Sequence, residues 1–520
     1  MLFRDLIEKM VTEYHDRIAF IENNETTHTF QAINLNSNAI ANGLKGNGLL
    51  KGDKIVMLSR NSHYYRDIFW AAGKAGFVFI PINYRLHPDE IVQIVNNADA
   101  QCLIISNNYE EVANQIRDRL TGVTQYYSID SDIQGYEYLG RLIQSSSKEV
   151  LSEKLTEDDL LYFQYTSGTT GVPKGAVYTQ HKIAKWVEEG LRMHPKTEKN
   201  YRSLQFLPLY AAGGFMYDIM YQSSGTEVVL MSKFDASEVL TKIEKYKIKE
   251  MHIVPVILSF LLENPNFDKY DLSSLDLITY GGSPMAPDLL KKGIDNIGPI
   301  FMQDYGASES HVLTILPKED HILDGNPEKR RRLSSCGKPV EGVDVKVLDE
   351  IGEEVKVGEI GELTVKSDLV MKEYWKMPQE TKECLKDGRF YTGDLCIVDE
   401  DGYIYIKDRK KDMIISGGMN IYPFEVEMVL LEHPNILDAA VIGVPDEKWG
   451  EAICALIVYN KNKGAIPENE DIIQFVRERI GSYKKPKMII SVDSIPRTAS
   501  GKVMKKKIRE EFWKGRDRKV

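Results

Sequence analysis

Between Thr166 and Gly175 the chain reads Thr-Ser-Gly-Thr-Thr-Gly-Val-Pro-Lys-Gly, a run dense in hydroxyls and glycines with one lysine, Lys174. That composition suits a phosphate. Gly168 and Gly171 allow backbone N–H groups to approach an anion closely, and the hydroxyls of Thr166, Ser167, Thr169 and Thr170 add donors that rotate to fit. Lys174 supplies a point charge on a flexible stem. The spacing from Gly168 to Lys174, with Gly175 where Ser or Thr is required, excludes the GxxxxGK[ST] loop of P-loop NTPases. A different nucleotide chemistry is implied, against the plainer alternative that a Gly/Thr-rich stretch is only a turn.

Such a loop needs rigid flanks. Leu160-Leu161-Tyr162-Phe163-Gln164-Tyr165 reads as a buried strand ending at the loop. Lys54–Leu58, 101–105 and 251–255 read as further short apolar strands, alternating with amphipathic helical stretches such as 63–75, the pattern of parallel α/β units. After about residue 336 glycines punctuate hairpin-like runs such as 343–347, which predicts a β-rich subdomain over about 336–408. The charged bridge Lys407–Asp412 is taken as the domain boundary, giving an N-terminal unit 1–410 and an α+β unit 411–520 with helices over 422–432 and 468–480 and strands over 438–443 and 452–459. The expected fold class is α/β: parallel-sheet layers plus a β-rich subdomain, followed by a small α+β domain.

At 520 residues the chain exceeds what one core organises, and 42% hydrophobic and 28% charged residues are ordinary globular usage. No apolar stretch approaches the roughly 20 residues of a membrane span, and the first residues lack a signal-peptide core, so a cytoplasmic location is expected. Five scattered cysteines without a CxxC pair or clustered histidines point to neither disulfides nor zinc. Charge is uneven. The last forty residues hold thirteen Lys/Arg and four Asp/Glu, a net +9, so the other 480 carry −20 of the chain's −11. A solvated terminal helix explains that tail as well as a polyanion does, and nucleic acid is the weakest reading because the body is acidic.

Several islands together resemble one family, the adenylate-forming (AMP-binding) acyl-CoA synthetases, which also include carrier-protein-linked adenylation domains and beetle luciferases. They are the loop 166–175, Tyr305-Gly306-Ala307-Ser308-Glu309, Tyr391-Thr392-Gly393-Asp394, Asp408–Asp412, Ser416–Glu425 and Pro496–Lys502. The wording at Lys366-Ser367-Asp368 and Lys372-Glu373-Tyr374-Trp375 looks most like fatty-acyl-CoA ligases. The resemblance implies a ligase that uses ATP and Mg²⁺ to convert a carboxylic acid, fatty or otherwise apolar, to an acyl-adenylate and passes the acyl group to coenzyme A.

It also implies roles. Thr166–Gly171 and Lys174 would hold the β- and γ-phosphates, Glu309 would be the magnesium ligand and Ser308 would meet the α-phosphate. Tyr305 beside Gly306, with the turn at Gly282 and Ser283 opposite, would take adenine; Asp394 backed by Arg409 would take the ribose, and Asn420 would complete the nucleotide site. Lys502 would bridge the acid's carboxylate and the α-phosphate, and with Glu309 and Lys174 forms the expected catalytic set. Lys411 would be the hinge about which the small domain turns between half-reactions. Gly417, Gly418, Trp449, Tyr483, Lys485 and Lys487, with Arg85 from the large domain, would serve coenzyme A. Tyr210, Ala211, Gly214 and Phe215 would line the acyl pocket, with close-packed sheet–helix contact as an equal alternative, Ala211 standing where many relatives place His.

Rival readings are a ligase loading a carrier protein, a luciferase-type oxygenase and a non-catalytic nucleotide sensor. Lys329-Arg330-Arg331-Arg332 is either a peripheral contact for an anionic membrane or a solvated loop. A monomer and a homodimer are both compatible with the sequence.

Overall fold

The computed structural model describes every residue except 23–24, 167–172, 195–196, 284, 324–326, 461–465, 498–502 and 515–520. Among the described residues the strands form four sheets of nine, eight, five and five strands. The eight-stranded sheet has parallel strands at its centre, including Lys54–Leu58, Val78–Pro81, Ala100–Ile105 and Leu160–Thr166. The nine-stranded sheet likewise centres on parallel strands, among them Glu250–Ile253, Leu277–Tyr280 and Phe301–Ala307. Helices alternate with these strands, as parallel connections require.

The third sheet is antiparallel, pairing Asp344–Leu348, Gly361–Lys366, Arg389–Val398 and Ile404–Arg409. It matches the expected β-rich segment with two departures. Lys338–Pro339 instead edges the nine-stranded sheet, and Glu373–Tyr374 adds to the eight-stranded one, so this segment is stitched to both large sheets. The fourth sheet lies wholly after residue 413, with Ile436–Asp446 paired along Gly450–Tyr459 and Met488–Ser491 parallel to the latter. Helix Pro423–Leu431 packs its buried Val426 and Leu430 against that sheet.

Two boundaries differ from the sequence reading for local reasons. The strand read over 251–255 ends at Ile253, because Pro255 has no N–H for a ladder and opens helix Pro255–Leu262. The bridge read over 407–412 is strand as far as Arg409, paired to Asp394, so only 410–412 form a turn. The cationic run 329–332 is partly engaged by the protein: Arg331 lies 4.8 Å from the Tyr405 ring, and Arg332 lies 4.5 Å from that of Tyr403 and pairs with Asp401. Among the described residues no helix is long and apolar enough to cross a membrane, and all five cysteines are free thiols.

Candidate active site

Strand Leu160–Thr166 turns back as Lys174–Thr179, antiparallel at the edge of the parallel run, with Thr166 opposite Lys174. A parallel neighbour would need a long crossover; this pair needs only a short loop. Ser167, Gly168, Thr169, Thr170 and Gly171 lie outside the described residues. The returning strand pairs in turn with Glu373–Tyr374, Tyr374 opposite Ala176, which brings Lys174 Nζ to 5.2 Å from the Tyr374 ring centroid.

Glu309 sits in the tight turn between strands Phe301–Ala307 and His311–Leu316. Gly306 is obligatory there, since a Cβ would stand 1.8 Å from the His311 carbonyl oxygen. The turn is held from outside: Tyr178 donates its hydroxyl to the Ser308 carbonyl at 2.5 Å, and the Met371 N–H donates to that of Glu309 at 2.7 Å. The Tyr374 hydroxyl donates to Glu309 Oε1 at 2.8 Å. Burial, and behind it the Glu309 carboxylate, push the Tyr374 phenol far above its usual range, so it stays a donor. One carboxylate oxygen is thus fixed while the other takes no hydrogen bond among the described residues, a donor arrangement that fits a hard cation such as Mg²⁺.

Four residues back, the Tyr305 hydroxyl donates to Asp394 Oδ2 at 2.6 Å, and Arg409 Nε lies 2.9 Å from Asp394 Oδ1. Asp394 and Arg409 face each other in register on the hairpin preceding the 410–412 turn. The Asp394 charge holds the guanidinium above its ordinary value, while burial and then Asp394 raise the Tyr305 phenol. Both Asp394 oxygens are therefore engaged, and each keeps a lone pair for a further donor. Gly282, in the turn after strand Leu277–Tyr280, adopts φ 78° and is exposed, with Ser283 half-buried beside it.

Lys411 occupies the turn after Arg409. Just before it, buried Asp408 accepts from the Phe424 N–H at 2.8 Å through Oδ2 and from the Arg409 N–H at 2.7 Å through Oδ1. Burial raises its carboxyl to about 6. Past the turn, Asp412 pairs with Arg509 at 2.8 Å. Lys502 lies outside the described residues; the flanking Arg497 and Val503 bridge each other, and Arg497 pairs with Asp438 at 2.7 Å.

Gly417 and Gly418 have φ of 60° and 79°, and Asn420 is exposed on the following strand. The sequence assigned both glycines to clearance for coenzyme A. At Gly417 the clearance serves Trp449, since a Cβ would meet the indole at 2.4 Å; at Gly418 the space is open and the left-handed backbone is the constraint. Trp449 is 42% exposed, with Lys448 and Lys487 each 5.0 Å from its ring, and Lys487 also reaches Asp446 at 3.3 Å. Tyr483 is exposed and Lys485 half-buried nearby in sequence. Arg85, on the large N-terminal part, is exposed, 5.8 Å from the Tyr84 ring.

The expected acyl wall is split. Ala211 is half-buried just before helix Ala212–Ser224, and Tyr210 is buried against Tyr84 at 5.1 Å, edge to face, with no partner for its hydroxyl among the described residues. Gly214 answers a backbone need, because a Cβ would meet the Pro208 carbonyl at 2.3 Å. Phe215 is core rather than wall: it stacks on Tyr162 at 4.6 Å and packs on Phe69 and Phe79. Asp218, on the same helix, is buried in an ion pair with Arg66 at 2.7 Å.

Sequence reasoning missed Tyr374, Tyr178 and Asp408 as supports. Tyr374 and Asp408 stood inside quoted islands, but only the strand pairings show what their side chains reach.

Comparison with known proteins gives the family. The AMP-binding enzyme family matches residues 7–375, and the AMP-binding enzyme C-terminal domain matches 425–502. The medium/long-chain-fatty-acid–CoA ligase FadD8 of Mycobacterium tuberculosis (strain ATCC 25618 / H37Rv) is 38% identical over 440 residues, 82% of this chain and 76% of that one. The fatty acid–[acyl-carrier-protein] ligase ScoC of Streptomyces coeruleorubidus is 31% identical over 509 residues, 95% of this chain and 93% of its own. The amide bond synthetase McbA from Marinactinospora thermotolerans shares the fold with a TM-score of 0.89 at 27% identity, covering 98% of this chain and 100% of that one. The chain belongs to the AMP-binding, adenylate-forming enzyme family, in its acyl-CoA synthetase branch.

Proposed function

We propose that the protein is an AMP-forming acid–thiol ligase that activates a carboxylic acid of largely apolar frame with ATP and transfers it to coenzyme A. One observation carries the reading: the strand end and turn over 305–309 are braced at Tyr305 by Asp394 and at Glu309 by Tyr374, so a carboxylate suited to ribose hydroxyls and one suited to a cation beside phosphate are held at positions four residues apart.

In the first half-reaction a carboxylate oxygen attacks the α-phosphorus, the bond to the bridging oxygen breaks and pyrophosphate leaves. In the second, the thiolate of coenzyme A attacks the acyl carbonyl and AMP leaves. Lys174 and the loop 166–171 hold the leaving pyrophosphate, and Lys502 offsets the repulsion between carboxylate and phosphate. Asp394 and Arg409 orient the ribose, with Tyr305, Gly306, Gly282 and Ser283 around adenine, Ser308 at the α-phosphate and Asn420 completing the site. Glu309 holds Mg²⁺, which supplies charge neutralisation at the phosphates. The boundary falls at 410/411 with Lys411 as hinge, and Gly417, Gly418, Trp449, Tyr483, Lys485, Lys487 and Arg85 receive coenzyme A.

The test is purified full-length protein with ATP, Mg²⁺, coenzyme A and a panel of acids, read by mass spectrometry. AMP, pyrophosphate and acyl-CoA are expected together. Acyl-adenylate with thioester formed only on an added carrier protein would replace coenzyme A by that partner, and no AMP from any acid would overturn the ligase reading.

A further inference from the structure

Beside the expected acyl wall lies a buried polar cluster that the mechanism does not use. His252 is on strand Glu250–Ile253 and Asp304 on strand Phe301–Ala307, near the carboxyl ends of parallel strands, where ligands of open α/β sheets bind. Their side chains stand 3.6 Å apart, His252 Nδ1 to Asp304 Oδ2. Tyr217, from helix Ala212–Ser224, stacks on the imidazole at 3.8 Å and donates its hydroxyl to Asp304 Oδ2 at 3.0 Å. His252 and Asp304 are only 4% and 7% exposed, and buried polar atoms are costly unless partnered.

Two atoms of this cluster are left over. His252 Nδ1 faces Thr279 Oγ1 at 3.0 Å as well as Asp304, contacts that assign its proton to Nδ1 and make Nε2 an acceptor. Nε2 takes no hydrogen bond among the described residues. Burial pushes the imidazole down to about 3, so it stays neutral and able to accept. Asp304 Oδ1 is the second: the carboxyl meets the Tyr217 hydroxyl at Oδ2 and its own backbone N–H, which leaves lone-pair capacity for a further donor.

Glycines leave both atoms uncovered. A Cβ at Gly213, two residues after Ala211, would lie 3.5 Å from His252 Nε2, and one at Gly281, beside Gly282, would lie 2.6 Å from Asp304 Oδ1. The two acceptors thus span from the acyl loop to the adenine turn.

We infer that His252 Nε2 and Asp304 Oδ1 read the acid substrate, selecting one whose apolar frame carries a hydrogen-bond donor, a hydroxyl or an amino group. The inference rests on the ligase reading and on 210–214 bordering the acyl site. A donor-bearing acid satisfies both acceptors, and an isostere ending in methyl leaves them unpaired.

The experiment compares matched acids with the full-length protein, ATP, Mg²⁺ and coenzyme A: para-hydroxyphenylpropanoate against para-methylphenylpropanoate, and an ω-hydroxy fatty acid against its methyl-terminated isostere. In at least one pair kcat/KM should favour the donor by about tenfold or more. His252→Leu should bring that ratio to within about twofold with the KM for ATP unchanged, while His252→Gln, which keeps an acceptor, should retain part of it. Asp304→Ala, which removes the second acceptor, should lower the ratio independently. Brisk turnover at parity in both pairs, or a ratio that survives His252→Leu and Asp304→Ala, overturns the inference and leaves the ligase intact. No AMP from any acid overturns both.

Discussion

Tyr374 joins the two charges expected to handle the phosphates: its hydroxyl donates to Glu309 Oε1 at 2.8 Å, and its ring lies 5.2 Å from Lys174 Nζ. The two-strand pairing that places it also fixes the register of the strand beginning at Lys174. A tyrosine so held keeps Glu309 in one rotamer before any ligand arrives.

Tyr374→Phe removes the hydroxyl and keeps the ring. A hydrogen bond to a charged group contributes ~1.5–3 kcal/mol, so kcat for acid-dependent pyrophosphate release should fall about tenfold or more. The Mg²⁺ concentration for half-maximal rate should rise with it, and Mn²⁺ binding followed by electron paramagnetic resonance should weaken. An unchanged metal dependence would mean that Tyr374 only packs.

Lys502→Ala should abolish adenylate formation, by about two decades or more, while sparing thioester formation from supplied acyl-adenylate. Lys174→Ala should slow adenylation equally across acids, because the group it grips leaves with pyrophosphate. A strong change in acid preference would contradict that division.

Lys411→Pro should slow one half-reaction selectively, since it restricts the backbone only at the 410–412 turn. Separate assays of pyrophosphate release and of thioester formation from acyl-adenylate decide it; equal loss in both would count against a hinge.

Burial raises the Asp304 carboxyl to about 7, against an ordinary aspartate value near 3.8. The folded protein holds this proton more tightly than the unfolded chain, so the stability the group contributes is present at low pH and lost as pH rises through about 7. Asp304→Asn should therefore raise the urea midpoint at about pH 8, by an amount on the order of a few kcal/mol in stability, and leave it little changed near pH 4.

The parallel strands were legible because buried strands are apolar and short; Lys54–Leu58 is read with both ends correct. The islands were legible because their composition is local: glycines, hydroxyls and a lysine within ten residues. What stayed hidden depends on pairing at a distance. Tyr374 is 65 positions from Glu309, and nothing in Lys372–Trp375 tells that its ring turns toward Lys174. His252, Asp304 and Tyr217 come from two strands and a helix, and only the packed structure shows that they share one cluster. Phe215 stayed open between wall and core because an aromatic beside glycines fits a pocket rim and a core equally well until its stacking on Tyr162 is seen.

Asp408 is the last residue but one of a strand of the β-rich sheet and holds the Phe424 amide beyond the 410–412 turn. Rotation about Lys411 would pull on that bond, and the strand end and turn string together Arg409, Lys410 and Lys411, three consecutive cleavage positions for trypsin. Nicking there should divide the chain into fragments of unequal size. The rate at which trypsin cuts in the presence of each ligand then becomes a clock for how often the Asp408 clasp lets go.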